Sequence, residues 1–323
     1  MTVSVALCTH NGERYLLEQL QSILRQTVPV DQIVVSDDAS QDGTLEVVRR
    51  AFDSHPSAPA LKVIENSVAL GVARNFEQAI AACSGEIVLL SDQDDVWAPT
   101  RVEKTLAAFE DDVLLVHSDA RLIDGRGDVL PGTLFRAYGV DERTRLREAA
   151  GGAFDLFLRR NLVTGATAAV RRDLAVLASP FPDCWVHDEW LAIVAASTGR
   201  IVPLAELLVD YRQHGGNQIG AADITFRAKL ARLVAPGHER NRRLLARALA
   251  LYERYPGFGT VVGGGEAVAQ KVTHERARSS LGTHRLTRLA PVLREWRTGR
   301  YGRFGGGVQD VVRDLIQPLR AAS

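Results

Sequence analysis

Residues 3–38 have the sequence VSVALCTHNGERYLLEQLQSILRQTVPVDQIVVSDD, in which an apolar run, a helical pattern and a second apolar run follow one another. The apolar runs Val3–Cys8 and Gln32–Ser36 predict strands, and the apolar spacing in 15–26 predicts an amphipathic helix between them. The alternation continues with predicted strands at Leu61–Glu65 and Glu86–Ser91 and predicted helices at Gly43–Ala51, Val72–Ala82 and Thr100–Phe109. This order predicts an α/β fold with a mostly parallel sheet and helices on both faces.

The composition is that of an ordinary globular protein, with 46% hydrophobic and 24% charged residues among 323. The three cysteines, Cys8, Cys83 and Cys184, are scattered and odd in number, which argues against a disulfide framework and favours the reducing cytosol. The first residues lack the basic segment of a secretory signal, and no uncharged apolar run approaches the ~20 residues of a membrane span. We therefore expect a cytoplasmic protein.

The charges are divided unevenly along the chain. Residues 1–222 hold 20 Lys and Arg against 31 Asp and Glu, whereas residues 223–323 hold 19 against 8, so the two parts carry formal charges of −11 and +11. Glycines 215, 216 and 220 between them suit a turn-rich connection. We predict two parts, an acidic α/β domain at 1–222 and a basic, mainly helical C-terminal region at 223–323.

Four successive predicted strands end in polar residues: Thr9-His10-Asn11, Asp37-Asp38, Asn66, and Asp92-Gln93-Asp94-Asp95. Ligands of open α/β sheets bind outside the carboxyl ends of the strands. Asp37 and Asp38 can accept hydrogen bonds from a ribose or a pyrimidine, and Asp92 and Asp94 can hold Mg²⁺ or Mn²⁺ by oxygen ligands. No GxxxxGK[ST] or post-strand GxGxxG is present to cradle phosphate through backbone N–H groups. The pattern therefore predicts a site for a metal and a nucleoside diphosphate.

Several ordered motifs over residues 1–220 resemble family 2 glycosyltransferases of the GT-A fold, in their rhamnosyltransferase-like branch. The matching stretches are VALCTHNGERYLLEQLQSILRQT, VVSDDASQDGT, NSVALGVARNF, LLSDQDDVW, NLVTGATAAVRR, CWVHDEWL and YRQHGGNQIG. The resemblance implies that Asp92-Gln93-Asp94 is the DXD metal motif and that YRQHGGNQIG closes over the diphosphate.

The resemblance also implies a set of site residues. The aspartate of HDEW, Asp188, is the expected general base, with Glu189 beside it as the alternative. Expected nucleotide-sugar contacts are Thr9, Asn11, Glu13, Asp37, Asp38, Gly71, Arg74, Asn75, Asp92, Arg212 and His214. Asp92 and Asp94 are the expected metal ligands. The expected lining of the donor-sugar or acceptor cleft is Asp95, Trp97, Gly165, His187, Glu189 and Trp190.

The implied activity is that of an inverting, metal-dependent glycosyltransferase in cell-surface polysaccharide synthesis. The donor favoured by the resemblance is dTDP-L-rhamnose, with a UDP-hexose or UDP-N-acetylhexosamine as the alternative, and the acceptor is a glycan or a lipid-linked glycan. Two other classes remain: a nucleotidyltransferase, for which the 9–14 loop has few glycines and basic residues, and a non-catalytic nucleotide-sugar-binding protein. No motif indicates nucleic acid as a partner.

The C-terminal tail suggests a contact with the membrane. Apolar residues recur there at helical spacing, at Val308, Val311, Val312, Leu315, Ile316 and Leu319. Just before them, Arg300, Tyr301, Arg303 and Phe304 interleave cations with aromatic rings, as in segments that lie in a lipid interface. Packing of the stripe within its own domain is the alternative. A peripheral location at the inner face of the cell membrane is the corresponding expectation.

Overall fold

The computed structural model describes residues 1–55, 57–214 and 237–317. The chain divides into two compact units, the first holding residues 1–153 and 162–221 and the second holding residues 154–161 and 222–323. The predicted boundary near residue 222 and the glycines 215, 216 and 220 lie outside the described residues. Residues 154–161 belong to the second unit although they lie between two segments of the first unit in the sequence. The single boundary predicted near residue 222 does not include this segment.

The described residues up to 214 contain nine strands and nine α-helices, all in the first unit except α7 (Ala153–Arg159), which lies almost wholly in the second. The strands are β1 Val3–Thr9, β2 Gln32–Asp37, β3 Ala60–Glu65, β4 Ile87–Ser91, β5 Val96–Trp97, β6 Val113–Asp124, β7 Val129–Thr133, β8 Ala168–Arg171 and β9 Arg200–Gln213. The helices are α1 Glu13–Leu24, α2 Thr44–Asp53, α3 Val72–Ala81, α4 Arg101–Ala107, α5 Leu134–Ala137, α6 Glu142–Arg147, α7 Ala153–Arg159, α8 Arg172–Ala178 and α9 His187–Thr198. The four strands and four helices predicted from residues 3–109 are all present, with ends shifted by a few residues.

The strands form one sheet in the order β3-β2-β1-β4-β8-β6-β9-β5, with β7 paired to β6. Strands β1, β2, β3 and β4 are mutually parallel where they pair, and β8 lies antiparallel between β4 and β6. Strand β9 is parallel to β6, and β5 and β7 are antiparallel to their neighbours. Six of the nine strands therefore point the same way, as predicted for a mostly parallel sheet.

The burial of the strands explains this order. Strands β1, β2 and β4 are almost continuously apolar and buried, which suits central parallel strands covered on both faces. Strand β3 is mostly exposed and forms the edge of the sheet. Thr9 of β1 lies opposite Asp37 of β2 in the parallel register. The carboxyl ends of β1, β2 and β4 are thereby brought to one edge.

The second unit is helical in its described residues. Besides α7, its α-helices are α10 Gly237–Arg254, α11 Gly264–Ser279, α12 Arg285–Arg297, α13 Arg300–Phe304 and α14 Val308–Ile316. A small apolar cluster is formed by Leu281, Val292, Tyr301 and Val311, with Leu315 packed against it. No helix in the described part of either unit is both long enough and apolar enough to cross a bilayer.

The structure corrects the proposed interfacial segment of the tail. Tyr301 and Phe304 are buried, and Arg300 pairs with Glu295, so this segment belongs to the interior of the helical unit. The predicted apolar stripe is also divided, because Val311 is buried whereas Val308 is exposed. Val312 and Ile316 are likewise exposed, and Leu319 lies outside the described residues.

Candidate functional site

The carboxylate of Asp37 holds the end of β2 against the end of β1. Its Oδ1 accepts hydrogen bonds from the hydroxyls of Thr9 and Ser40, both at 2.6 Å, and its Oδ2 accepts one from the main-chain N–H of Ser40 at 2.9 Å. Asp37 is buried, and these bonds occupy both of its oxygens. In this structure it shapes the loop after β2.

Asp38 performs a similar task for the loop before α3. Its Oδ1 accepts from the main-chain N–H of Leu70 at 2.7 Å, and its Oδ2 accepts from that of Gly71 at 2.9 Å. Gly71 has a φ of 81°, which favours glycine, and directly precedes α3. The structure therefore brings two predicted contact residues, Asp38 and Gly71, together in one bonded assembly.

The loop after β1 is tied to the start of α2. Asn11 donates its main-chain N–H to the Ser40 hydroxyl at 2.8 Å and accepts from the N–H of Gln41 through Oδ1, also at 2.8 Å. Glu13 accepts from the N–H of Gly43 at 3.0 Å. Thr9, Asn11, Glu13, Asp37 and Asp38 thus lie in one network, as their positions at strand ends require.

Arg74 and Asn75 differ in how accessible they are. Asn75 is buried and exchanges hydrogen bonds with Ser36, donating to its carbonyl at 2.9 Å and accepting from its hydroxyl at 2.7 Å. Arg74 is partly exposed and its guanidinium binds Asp183 at 2.6 Å and Glu77 at 2.7 Å. Asn75 anchors the first turn of α3, whereas Arg74 keeps an exposed cationic group on that helix.

The three aspartates after β4 form the acidic cluster of Asp92, Asp94 and Asp95. Burial, and then the charges of Asp94 and Asp188, raise the pKa of Asp92 to about 7. Burial and the charges of Asp94 and Asp92 raise the pKa of Asp95 well above its usual range. The contribution of Asp188 to the pKa of Asp92 shows that the candidate base and the acidic cluster interact electrostatically.

A buried arginine that the sequence did not single out lies beneath this cluster. Arg101, the first residue of α4, donates to the Leu90 carbonyl at 3.1 Å and stacks 3.8 Å from the ring centroid of Trp97. Burial lowers its pKa to about 9, while the charges of Asp95 and Asp92 act in the opposite direction. The positive charge among the aspartates was assigned from sequence to a metal alone; Arg101 supplies a fixed part of it.

The end of β9 covers the cluster from another side. The main-chain N–H of Arg212 donates to Oδ1 of Asp95 at 2.9 Å, and its Nε donates to the carbonyl of Asp94 at 2.7 Å. Its buried guanidinium also pairs with Glu18 at 2.6 Å. His214 places Nε2 2.7 Å from Oδ2 of Asp94. Both predicted residues of this segment contact the acidic cluster, and residues 215–220 lie outside the described residues.

Asp188 lies in the first turn of α9, as predicted from HDEW. Its Oδ2 accepts from the N–H of Gly165 at 2.9 Å and its Oδ1 from the N–H of Glu189 at 2.6 Å. His187 is buried and stacks on Phe76 with ring centroids 3.8 Å apart. Burial lowers the pKa of His187 to about 3, so the imidazole is neutral.

Gly165, expected in the cleft, lies close to His187, and Tyr138, which no sequence pattern singled out, lies in the same region. A Cβ at position 165 would lie 2.6 Å from Nε2 of His187, so the close approach of the two segments requires Gly165. Tyr138 has a pKa raised first by burial and further by the charges of Asp188 and Glu189. Its phenol therefore lies within electrostatic reach of the candidate base, although nothing in the local sequence around Tyr138 signals this.

Two indoles expected in the cleft are part of the interior instead. Trp190 is fully buried on α9 and donates its Nε1–H to the Ala178 carbonyl at 2.8 Å. Trp97 is buried with the Arg101 guanidinium over its ring. Both correct the expectation, because a side chain enclosed by the core does not present a face to a sugar.

The acidic cluster has the donor chemistry of a Mg²⁺ or Mn²⁺ site. Its side chains offer carboxylate oxygens, the ligands that these hard cations prefer. Oδ2 of Asp95 is buried and has no hydrogen-bond partner among the described residues. Within residues 1–55, 57–214 and 237–317, no group of three or more His, Cys, Asp or Glu side chains is arranged to hold a metal ion. The residues fit the ion chemically, and substrate oxygens would have to complete its coordination.

Comparison with known proteins identifies the family of the chain. The family model described as glycosyl transferase family 2 matches residues 4–174, slightly more than half of the chain. An uncharacterized glycosyltransferase of Nostoc sp. is 29% identical over 70% of this chain and 69% of its own length. The dTDP-rhamnosyl transferase RfbG of Shigella flexneri is 28% identical over 70% of this chain and 78% of its own.

Solved structures share the fold. Staphylococcus aureus TarS in complex with UDP-GlcNAc superposes with a TM-score of 0.54 at 19% identity, over 98% of this chain and 89% of that one. The mannosyltransferase PcManGT of Pyrobaculum calidifontis, in complex with GDP-Man and Mn²⁺, gives 0.52 at 20% identity over 97% and 85%. The predicted GT-A-type α/β fold is confirmed. By its matched motifs, its sheet and its relatives, the chain belongs to glycosyl transferase family 2 and is a glycosyltransferase.

Proposed function

We propose that this glycosyltransferase moves L-rhamnose from dTDP-L-rhamnose to a hydroxyl of a glycan or lipid-linked acceptor, with inversion and with a divalent cation. The observation that supports the catalytic part of the proposal is that Asp188, held by the N–H groups of Gly165 and Glu189, contributes with burial and Asp94 to the raised pKa of Asp92. On this proposal, a base for the acceptor and oxygen ligands for the leaving diphosphate would serve one reaction centre.

The role proposed for Asp188 is to take the proton of the acceptor hydroxyl as that oxygen attacks the anomeric carbon. The N–H groups of Gly165 and Glu189 hold its two oxygens and fix the orientation of the carboxylate. Asp92 and Asp94 would hold Mg²⁺ or Mn²⁺, which stabilises the negative charge of the departing nucleoside diphosphate.

The choice of donor rests on relatives. RfbG, whose name gives dTDP-rhamnose, matches over most of both chains and supports rhamnose. TarS, which binds UDP-GlcNAc, and an Escherichia coli glucosyltransferase that uses UDP-Glc, 23% identical over 59% of this chain, support a UDP-sugar as the second candidate. The proposal also places the protein at the inner face of the cell membrane, where a lipid-linked acceptor would be available.

A donor panel tests the proposal directly. The full chain is incubated with dTDP-rhamnose, UDP-glucose, UDP-GlcNAc or GDP-mannose, with Mn²⁺ or with EDTA, and release of nucleoside diphosphate is measured alongside that of pyrophosphate. We expect slow, Mn²⁺-dependent release of dTDP and no pyrophosphate. Release of UDP alone would replace the donor, pyrophosphate would indicate a nucleotidyltransferase, and binding without any release would indicate a non-catalytic protein.

A further inference from the structure

Helix α12 of the second unit turns its ionic side chains inward and its large apolar side chains outward. Arg288, Val292 and Glu295 are buried. Leu286, Leu289 and Trp296 are 90%, 51% and 50% exposed. A surface helix that merely packs on its own domain shows the opposite arrangement, with the apolar stripe inside.

Specific bonds fix this orientation. The guanidinium of Arg288 donates to four main-chain carbonyls, those of Gly282, Thr283, Asp314 and Gln317. Glu295 accepts from Nδ1 of His274 at 2.8 Å and pairs with Arg300 at 3.0 Å. Rotating α12 to bury its leucines would leave these buried ions without partners, which is strongly unfavourable. The apolar face is therefore held outward.

Helix α14 has the same arrangement. Asp310 and Asp314 face inward, and Asp314 binds Arg278 at 2.7 Å. Val308, Val312 and Ile316, spaced four residues apart on one side, are 64%, 43% and 46% exposed. These two helices, of 13 and 9 residues, carry six of the twenty large apolar side chains exposed in the described part of the chain. Such a concentration of outward apolar residues indicates a surface that something covers.

The charges around the apolar face of α12 show what can cover it. Leu286, Leu289 and Trp296 share one side of the helix because their spacing is helical, and partly buried Leu293 lies between them. Arg285, Arg294 and Arg297 are exposed beside this face. The one acidic residue of the helix, Glu295, is buried. The exposed side is thus apolar and cationic with no negative charge, the composition of helices that lie in a lipid interface.

We propose that α12 binds the surface of an anionic lipid bilayer, with Leu286, Leu289 and Trp296 entering the interface and the three flanking arginines contacting the lipid phosphates. Tryptophan suits the headgroup depth because its ring is apolar while its N–H can bond. The proposal rests on the proposed function in one respect: a lipid-linked acceptor would give the enzyme a reason to bind the membrane. The binding itself does not depend on catalysis.

The test is co-sedimentation of the full chain with vesicles of phosphatidylglycerol and phosphatidylcholine, and with phosphatidylcholine alone. We expect binding to the anionic vesicles that weakens as salt rises. Arg285→Gln, Arg294→Gln and Arg297→Gln combined should weaken it on the order of 100-fold, since each basic residue near the surface contributes several-fold. Leu286→Gln, Leu289→Gln and Trp296→Gln combined should abolish it at all salt concentrations.

Matched controls come from exposed residues of the first unit. Val129→Gln, Leu146→Gln and Val176→Gln remove three equally exposed apolar side chains, and Arg49→Gln, Arg50→Gln and Arg143→Gln remove three exposed charges. Both control triples should pellet like the wild type. Equal loss in the controls, or wild-type protein that stays in the supernatant at low salt, would overturn the proposal.

Two further readouts separate the explanations. A molecular mass of two chains in solution that falls to one in the apolar triple of α12, without vesicle binding, would show that a second copy covers this face and would also overturn the proposal. Release of nucleoside diphosphate in the absence of vesicles should be unchanged in both α12 triples. If the protein binds vesicles but turns over no donor, the proposed function is contradicted, whereas the proposal that α12 binds the bilayer is still supported.

Discussion

The main-chain N–H of Gly165 donates a hydrogen bond of 2.9 Å to Oδ2 of Asp188. This bond and that from Glu189 orient the proposed base, so Asp188→Asn removes the proton acceptor while one side-chain oxygen remains to accept. We expect kcat to fall about 100-fold or more. The free energy of unfolding should fall by only about 1 kcal/mol, the usual net contribution of one hydrogen bond.

The neighbouring carboxylate provides the contrast. Glu189→Gln should retain most of the turnover, measured as nucleoside diphosphate release with acceptor present. If Glu189→Gln loses activity and Asp188→Asn keeps it, the assignment of the base is reversed.

A second prediction concerns the metal. Asp94→Asn removes a negative charge from the acidic cluster, so the Mn²⁺ concentration needed for half-maximal turnover should rise by an order of magnitude or more. Asp92→Asn should act in the same way. Calorimetric titration of Mn²⁺ in the presence of the nucleoside diphosphate checks the same effect without turnover. Asp53→Asn, at an exposed position on α2, is the matched control. Full activity of Asp94→Asn in excess EDTA would exclude the DXD assignment.

The third prediction concerns the cation beneath the cluster. Arg101→Met keeps an apolar stem against Trp97 but leaves Asp92 and Asp95 without their interior positive charge. We expect the free energy of unfolding in urea to fall by about 1–3 kcal/mol, because the variant leaves the buried Leu90 carbonyl without this donor and removes a charge that opposes those of the buried aspartates. Arg49→Met, at an exposed position, should stay within about 0.5 kcal/mol of wild type. Equal stability of the two variants would show that Arg101 does not balance the aspartates.

The fourth prediction concerns pH. Burial lowers the pKa of His274 to about 4, whereas an unfolded histidine titrates near 6.5. As the pH falls below about 6.5 the unfolded chain binds the proton first, so the stability contributed by neutral His274 is present above that pH and is lost toward pH 4. The slope is at most about 1.4 kcal/mol per pH unit.

Carboxylates titrate in the same window, so the comparison must be between variants. The difference in unfolding free energy between wild type and His274→Gln should shrink as the pH is lowered from 6.5 to 4. His284→Gln, at an exposed position, is the matched control. A difference that stays constant with pH would mean that His274 titrates normally in the folded protein.

The first half of the sheet could be predicted from sequence because each element carries its own pattern. Strands β1, β2 and β4 are short apolar runs, and the helices between them are amphipathic. Strand β8 is four residues long and is inserted antiparallel between β4 and β6. Its place depends on pairing between distant segments, and local periodicity contains no information about that.

For the candidate site, Asp92 and Asp94 were proposed from the strand pattern and the chemistry of metal ligands, and Asp188 from the family resemblance; their roles remain predictions. The burial of Arg101 and the approach of Tyr138 to Asp188 arise from tertiary packing, so no local signal announced them. Apolar periodicity was misleading in the tail, since it predicts which residues share a helix face but not whether that face turns inward.

The discontinuity of the second unit has a consequence for how the protein is made. Phe154, Phe157 and Leu158 are buried in that unit, and Arg159 donates to the Gly305 carbonyl at 2.8 Å. A ribosome adding roughly 5–20 residues per second completes these residues on the order of ten seconds before residue 305 emerges. During that time the later residues of the second unit have not been synthesised, so Phe154, Phe157 and Leu158 are accessible to chaperones and proteases. A nascent chain stopped at residue 222 would lack the ring of Tyr255 that contacts Phe154 and the carbonyl of Gly305 that binds Arg159.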